Sequence, residues 1–234
     1  MVSTRYRTVF LDAGGVLVCP DWTRAAAALA SHGVPVAAAT LEAAEPFVKR
    51  QLDVAPTVRI TNDEQRGFLY FDLILKRAGI TANADTDAAL AELKVFHDQD
   101  NTWDSIPDGV VPALQRLRAA KLQIVVVSNS NGTLRRLFDR VGLARHMDVI
   151  IDSKEEGVEK PDPRLFHRAL QRAGADPAAT IHCGDLYEID VIGARTAGLP
   201  AVLLDAAEMY EGVDCPRVRS LGEFADRLIS GAFD

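Results

Sequence analysis

Short runs in this chain are apolar at almost every position: Thr8 to Leu11, Ile124 to Val127, Val149 to Ile151, Thr180 to Cys183 and Ala201 to Leu204. A strand with one wet face alternates apolar and polar residues. Unbroken runs of this length therefore predict strands covered on both faces, as in a parallel sheet between helices. Stretches with helical spacing lie between them. Leu134, Leu137, Phe138 and Val141 precede Gly142, Leu165, Phe166, Ala169, Leu170 and Ala173 precede Gly174, and Val191, Ala194 and Ala197 precede Gly198. Each predicts an amphipathic helix closed by a glycine that suits a left-handed C-cap. From about Pro107 onward, strands alternating with helices predict a doubly wound α/β domain.

The stretch after the first run behaves differently. Residues 20–104 offer helices, Thr23 to His32, Leu41 to Lys49, Asp63 to Ala78 and Asp85 to His97, and no convincing strand. In the third, Phe68, Phe71, Leu75 and Ala78 are expected to line the buried face, with Thr61 or Asn62 as N-cap. The block is too long for a crossover, so it predicts an inserted helical domain at 20–104 within a core made of 1–19 and 105–234. Trp22 and Trp103 flank the insert and are expected to pack at its two hinges.

Composition excludes several classes. The 234 residues carry 26 Lys and Arg against 33 Asp and Glu, a net −7, which argues against a basic nucleic-acid-binding face. The apolar fraction of 48% suffices for a buried core and rules out wholesale disorder. No run approaches the ~18–20 apolar residues of a membrane span. The start, Met1 to Arg7, is polar and lacks the apolar stretch of a secretory leader. Cys19, Cys183 and Cys215 are spaced neither as a disulfide framework nor as a zinc site, and read as small hydrophobes. The expected location is cytoplasmic. The five histidines form no ligand pair, and His182, inside a strand run, reads as structural.

In an open parallel sheet, ligands bind outside the carboxyl ends of the strands. Asp12-Ala13-Gly14-Gly15 follows the first run and Ser128-Asn129 the second. Glu159-Lys160-Pro161-Asp162 lies beyond the third, and Gly184-Asp185, with Asp190 five residues on, ends the fourth. Singly these are turn, cap and loop residues. Together they bring carboxylates, a hydroxyl and an ammonium to one rim, as a catalytic site demands. Asn129 suits either a phosphate contact or the cap of the next helix.

These four segments resemble the motifs of the haloacid dehalogenase-like hydrolase superfamily, over nearly the whole chain. The resemblance implies a Rossmann-like α/β core with a helical cap that closes over the rim, and a reaction at phosphorus. Asp12 stands at the nucleophile's position, Ser128 and Asn129 at the substrate-binding second motif, and Lys160 at the third. Asp12, the Gly14 carbonyl, Asp185 and Asp190 are the implied Mg²⁺ ligands, with Asp190 acting through water or by orienting the others. An aspartate is ionised at pH 7 and needs no base to attack, while a hard cation offsets its repulsion from phosphate. The implied partner is a small phosphorylated metabolite, with neither nucleic acid nor membrane, and the chain is expected to be a monomer or homodimer.

One residue departs from the pattern. Phosphatases of the superfamily usually carry a second aspartate two residues after the nucleophile, as general acid and base, and here that residue is Gly14. Three readings remain open. A phosphatase would use another proton donor, such as Asp21, Glu188 or a cap residue, or a leaving group needing little help, such as an anomeric sugar phosphate or an acyl phosphate. A different chemistry in the same family is the second reading. The dehalogenase branch needs no metal, which the intact acidic motif disfavours, whereas phosphonate cleavage would need a Schiff-base lysine among Lys49, Lys76 and Lys94. The third is a weakly active phosphoester-binding or regulatory protein.

Overall fold

The structure, a computed structural model, describes residues 4–234; Met1–Ser3, where the polar N-terminal segment begins, lie outside the described residues. The chain divides into two compact units, Met1–Cys19 with Ile106–Asp234, and Pro20–Ser105. The second junction falls one residue later than the sequence boundary at 104.

In chain order the first unit opens with β1 (Thr8–Leu11) and resumes with α6 (Val110–Ala119), β2 (Gln123–Ser128), α7 (Leu134–Arg140) and β3 (Val149–Asp152). There follow α8 (Ser153–Glu156), α9 (Pro163–Ala173), β4 (Thr180–Gly184), α10 (Gly193–Thr196), β5 (Ala201–Leu204), β6 (Arg217–Val218) and α11 (Leu221–Ile229). All the strand pairings are parallel, in the order β3-β2-β1-β4-β5-β6. This is the doubly wound order, whose direction of winding reverses beside β1. The register sets Phe10 beside Val125 and His182, and Leu11 beside Val126 and Cys183. Phe10, Val125, Val127 and Ile151 share a cluster with Leu165, Phe166 and Ala169 of α9 and Val191 and Ala194 near α10. Val9, Leu11, Ile124 and Val126, alternating with them, are equally buried. Burial on both faces explains why these strands read as unbroken apolar runs. Each such Val, Leu, Ile or Phe contributes roughly 1.5–3 kcal/mol, so the sheet can carry polar groups at its rim.

Local signals set the helix ends. Asp162 caps α9 by accepting the Arg164 N–H, Pro163 needs no donor at the first position, and Gly174 closes the helix at φ 59°. Gly142 and Gly198 also take positive φ, as their places predicted.

The inserted unit contains α1 (Trp22–Ser31), α2 (Ala38–Leu52), α3 (Ala55–Ile60), α4 (Asp63–Arg77) and α5 (Ala84–Asp100). Asn62 with Gln65, and Asn83 with Thr86, form reciprocal capping boxes at the starts of α4 and α5. Its core joins Ala25, Ala28 and Leu29 of α1, Leu41, Ala44 and Val48 of α2, Tyr70 and Ile74 of α4, and Ala89 and Leu93 of α5. The expected buried face of α4 needs correction. The stripe is centred on Tyr70 and Ile74, and Phe68, well round the helix from both, is 52% exposed. Trp22 and Trp103 meet in one aromatic cluster, each beside Tyr70, with ring centroids 6.2 and 5.6 Å away.

Candidate active site

The rim residues of the first unit are placed by the ends of three strands and one loop. The Asp12 N–H donates to the Cys183 carbonyl at 3.0 Å, continuing the β1–β4 ladder one residue past β1. The chain then turns tightly. Leu17 and Val18 N–H both donate to the Ala13 carbonyl, Gly15 N–H donates to the Val18 carbonyl, and Gly15 holds φ 74°. Gly14 is outside the left-handed region. Ser128 ends β2, Asp185 follows β4, and Lys160 lies on the loop before α9. All of Asp12, Ser128, Lys160, Asp185 and Asp190 are buried.

Lys160 is the centre of the arrangement. Its ammonium donates to Asp12 Oδ1 at 2.7 Å and to Asp190 Oδ1 at 2.6 Å, with the lysine side chain 1% exposed. Ligand atoms of Asp12, Asp185 and Asp190 lie within 4.8 Å of one another. Two carboxylates thus accept from one buried ammonium, with a third carboxylate close by.

Asp190 reaches this point from a π-helical turn, Tyr187–Ile192. The wider turn lets the Leu186 N–H donate to Asp190 Oδ2 at 3.0 Å. A Cβ on Gly184 would overlap the Asp190 carboxyl, so a glycine is required there. His182, one strand residue from Cys183, adds Nε2 at 3.1 Å from Asp190 Oδ1. A carboxylate only accepts, so Nε2 carries the proton. The histidine packs edge-on against Phe166, 5.1 Å between centroids. The sequence signal for it was a polar residue in a strand buried on both faces, which reads as structural until the tertiary partner is seen.

These surroundings set the charges. Burial disfavours the Asp190 anion, but the Lys160 ammonium and the His182 hydrogen bond outweigh burial and hold its carboxyl well below the usual carboxylate range. Burial dominates at Asp12 and pushes its carboxyl up. The Lys160 charge pulls it back in part, the Asp190 charge adds to the rise, and a Ser128 hydrogen bond favours the anion. The two partners of one lysine differ because Asp190 collects the additional donors. Burial would lower the Lys160 ammonium, yet Asp12 and Asp190 together raise it, so it stays protonated. Burial raises the Cys183 thiol well above its ordinary value, as befits an inert core residue.

The donor set suits a hard divalent cation: buried carboxylate oxygens, close together, with negative charge in excess of the lysine. Both oxygens of Asp190 already accept protein donors, so its geometry favours orientation over direct ligation. Asn129 is held by the Lys160 loop. Its amide pairs with the main chain of Lys160, whose bond to Pro161 is cis, and α7 begins beyond it at Leu134. Asp21 caps α1 and pairs with Arg24 at 3.2 Å within the inserted unit. Cys19 is partly exposed.

Fold and site define the class: a Rossmann-like α/β protein with a buried acidic centre at the switch point of its sheet. The pattern of the haloacid dehalogenase-like hydrolases matches residues 6–198, and the chain belongs to that family of hydrolases. It is 32% identical over 184 residues to the haloacid dehalogenase-like hydrolase domain-containing protein 3 of Bos taurus, covering 76% of this chain and 72% of that one. It is 39% identical over 120 residues to the phosphoserine phosphatase of Thermus thermophilus, covering 51% and 48%. Among solved structures, the magnesium-bound HAD-hydrolase YfnB of Bacillus subtilis superposes with a TM-score of 0.72 at 20% identity, over 96% of this chain and 99% of that one. Among the described residues no helix is long and apolar enough to cross a membrane.

Proposed function

We propose that the protein is a Mg²⁺-dependent phosphatase acting on a small phosphorylated metabolite, with Asp12 as nucleophile. The observation that carries this reading is the buried Asp12–Lys160–Asp190 array with Asp185 beside it. Phosphatase-named relatives support it. Asp12, Asp185 and the Gly14 carbonyl would hold Mg²⁺, oriented by Asp190, and the ion would supply positive charge against the incoming phosphate. An Asp12 carboxylate oxygen attacks phosphorus as the bond to the leaving oxygen breaks, and water later cleaves the resulting aspartyl-phosphate to inorganic phosphate. Lys160 holds positive charge beside the attacking oxygen throughout. The Ser128 hydroxyl is a donor for a phosphate oxygen.

Gly14 shapes the choice of substrate. With no carboxyl two residues after Asp12, the reading favours leaving groups that depart with little protonation, such as the oxygen of an anomeric sugar phosphate or an acyl phosphate. For phosphonate cleavage, Lys94 of the three candidate lysines is paired with Asp98 at 2.6 Å on an exposed face. Gly14 also supports a second reading, a protein that binds phosphoesters and turns them over poorly.

The test is release of inorganic phosphate from a panel of phosphorylated metabolites with Mg²⁺, for native protein and Asp12→Asn. Activity that survives Asp12→Asn unchanged refutes the aspartyl-phosphate route. Tight phosphoester binding with no release from any compound transfers the conclusion to the second reading.

A further inference from the structure

Lys160 is anchored at both ends. Its ammonium is tied to Asp12 and Asp190, and its main chain is tied to one side chain at the end of β2. The Lys160 N–H donates to Asn129 Oδ1 at 2.7 Å, and Asn129 Nδ2 donates to the Lys160 carbonyl at 3.0 Å. The peptide has one donor and one acceptor here, so the orientation of the Asn129 amide is set by its partner. Of the two roles suggested by the sequence, the helix cap gives way to this clamp, since α7 begins at Leu134. Ser128, one residue earlier on the same strand end, carries the hydroxyl beside Asp12. Asn129 thus ties the end of the strand that holds Ser128 to the loop that holds Lys160.

We propose that Asn129 is a positioning residue, which sets the main chain of Lys160 and so the line along which the ammonium meets Asp12 and a bound phosphate. The inference rests on the phosphatase reading for its kinetic consequence, and on geometry alone for its structural one. A lysine side chain has four flexible torsions, and loss of the clamp frees the end from which they start. Reacting groups misplaced by ~1 Å lose on the order of 10²-fold in rate.

Two readouts test this in Asn129→Ser, which loses both bonds, and in Asn129→Asp, which keeps the shorter one and carries the test if the serine variant does not fold. In steady-state kinetics, kcat is expected to fall about 100-fold in Asn129→Ser with KM within about threefold of native. A rise in KM with kcat retained would make Asn129 a phosphate contact and overturn the proposal. The second readout needs no turnover. Pulsed acetylation of lysines, read by mass spectrometry with exposed Lys121 as internal standard, is expected to modify Lys160 several-fold faster in Asn129→Ser, with Asn129→Asp between. Unchanged Lys160 labelling in both variants overturns the clamp whatever the activity screen gives. Faster labelling with no phosphatase activity in the native protein leaves the clamp standing and refutes the phosphatase reading.

Discussion

Replacing Lys160 by methionine keeps the volume of the side chain nearly constant, shortens it by one heavy atom and deletes its charge. In metal-free buffer this leaves Asp12 and Asp190, both buried, without the cation they share. Truncating one partner of a buried ion pair typically costs about 3–5 kcal/mol, because the other is left uncompensated. For a chain of this length, where 1 kcal/mol moves Tm by about 2–4 °C, the melting temperature should fall by roughly 6–20 °C. The sharper expectation concerns a second substitution. At the 4.8 Å limit on the spacing of the carboxylate atoms, repulsion between two charges is about 3.5 kcal/mol in an effective dielectric of 20. Asp12→Asn should therefore destabilise the native background, where it removes a partner of Lys160, and stabilise the Lys160→Met background, where it removes a repelling charge. Thermal melts of the four proteins, monitored by circular dichroism in EDTA, measure the cycle. Equal loss from Asp12→Asn in both backgrounds would mean that the three groups are not electrostatically coupled.

Other consequences follow from single positions. Gly14→Asp places a carboxyl at a backbone position free of left-handed strain. It should raise turnover of simple alkyl phosphates by about 10²–10⁴-fold and flatten the dependence of rate on leaving-group pKa across aryl phosphates; no change in either would show that proton transfer does not limit the enzyme. Gly184→Ala should collapse the site, since the added methyl overlaps the Asp190 carboxyl, and a variant with native Tm and activity would contradict that packing. In the inserted unit, burial lowers the His97 imidazole below its ordinary value, and its Nδ1 accepts the Thr102 N–H at 3.3 Å. The unfolded chain takes up the proton at higher pH than the folded one. Stability from this source is thus fully present above the unfolded value near 6.5 and is lost as pH falls through the window below it. Melts between pH 7.5 and about 5 should show a shallower decline for His97→Gln than for native protein, and a steeper one would reverse the sign.

Much of this molecule could be read from local pattern. The apolar runs located β1 and β5 to the residue and the other long strands to within one residue at either end, because burial on both faces leaves an unmistakable trace. The two-residue strand β6, Arg217–Val218, left none, being too short for any periodicity. Asp12, Ser128, Lys160, Asp185 and Asp190 were visible as polar groups at strand ends. The parts hidden from sequence are contacts between distant segments. Nothing near Asn129 announces a partner 31 residues on, and nothing near His182 announces that its ring nitrogen will meet the carboxylate delivered by a π-helical turn. Phe68 is misplaced because four apolar residues at helical spacing define a stripe without saying which edge of it faces the core.

The central position of β1 has a consequence for the growing polypeptide. Its two neighbours in the sheet are β2, beginning at Gln123, and β4, beginning at Thr180. At roughly 5–20 residues per second, the strand that delivers Asp12 waits on the order of ten seconds after synthesis for its first partner. The five helices of the inserted unit, all made in that interval, draw on contacts local to that unit. During those seconds the apolar strand lacks both of its sheet neighbours, and a chaperone that shields short hydrophobic segments would find its target at Thr8–Leu11.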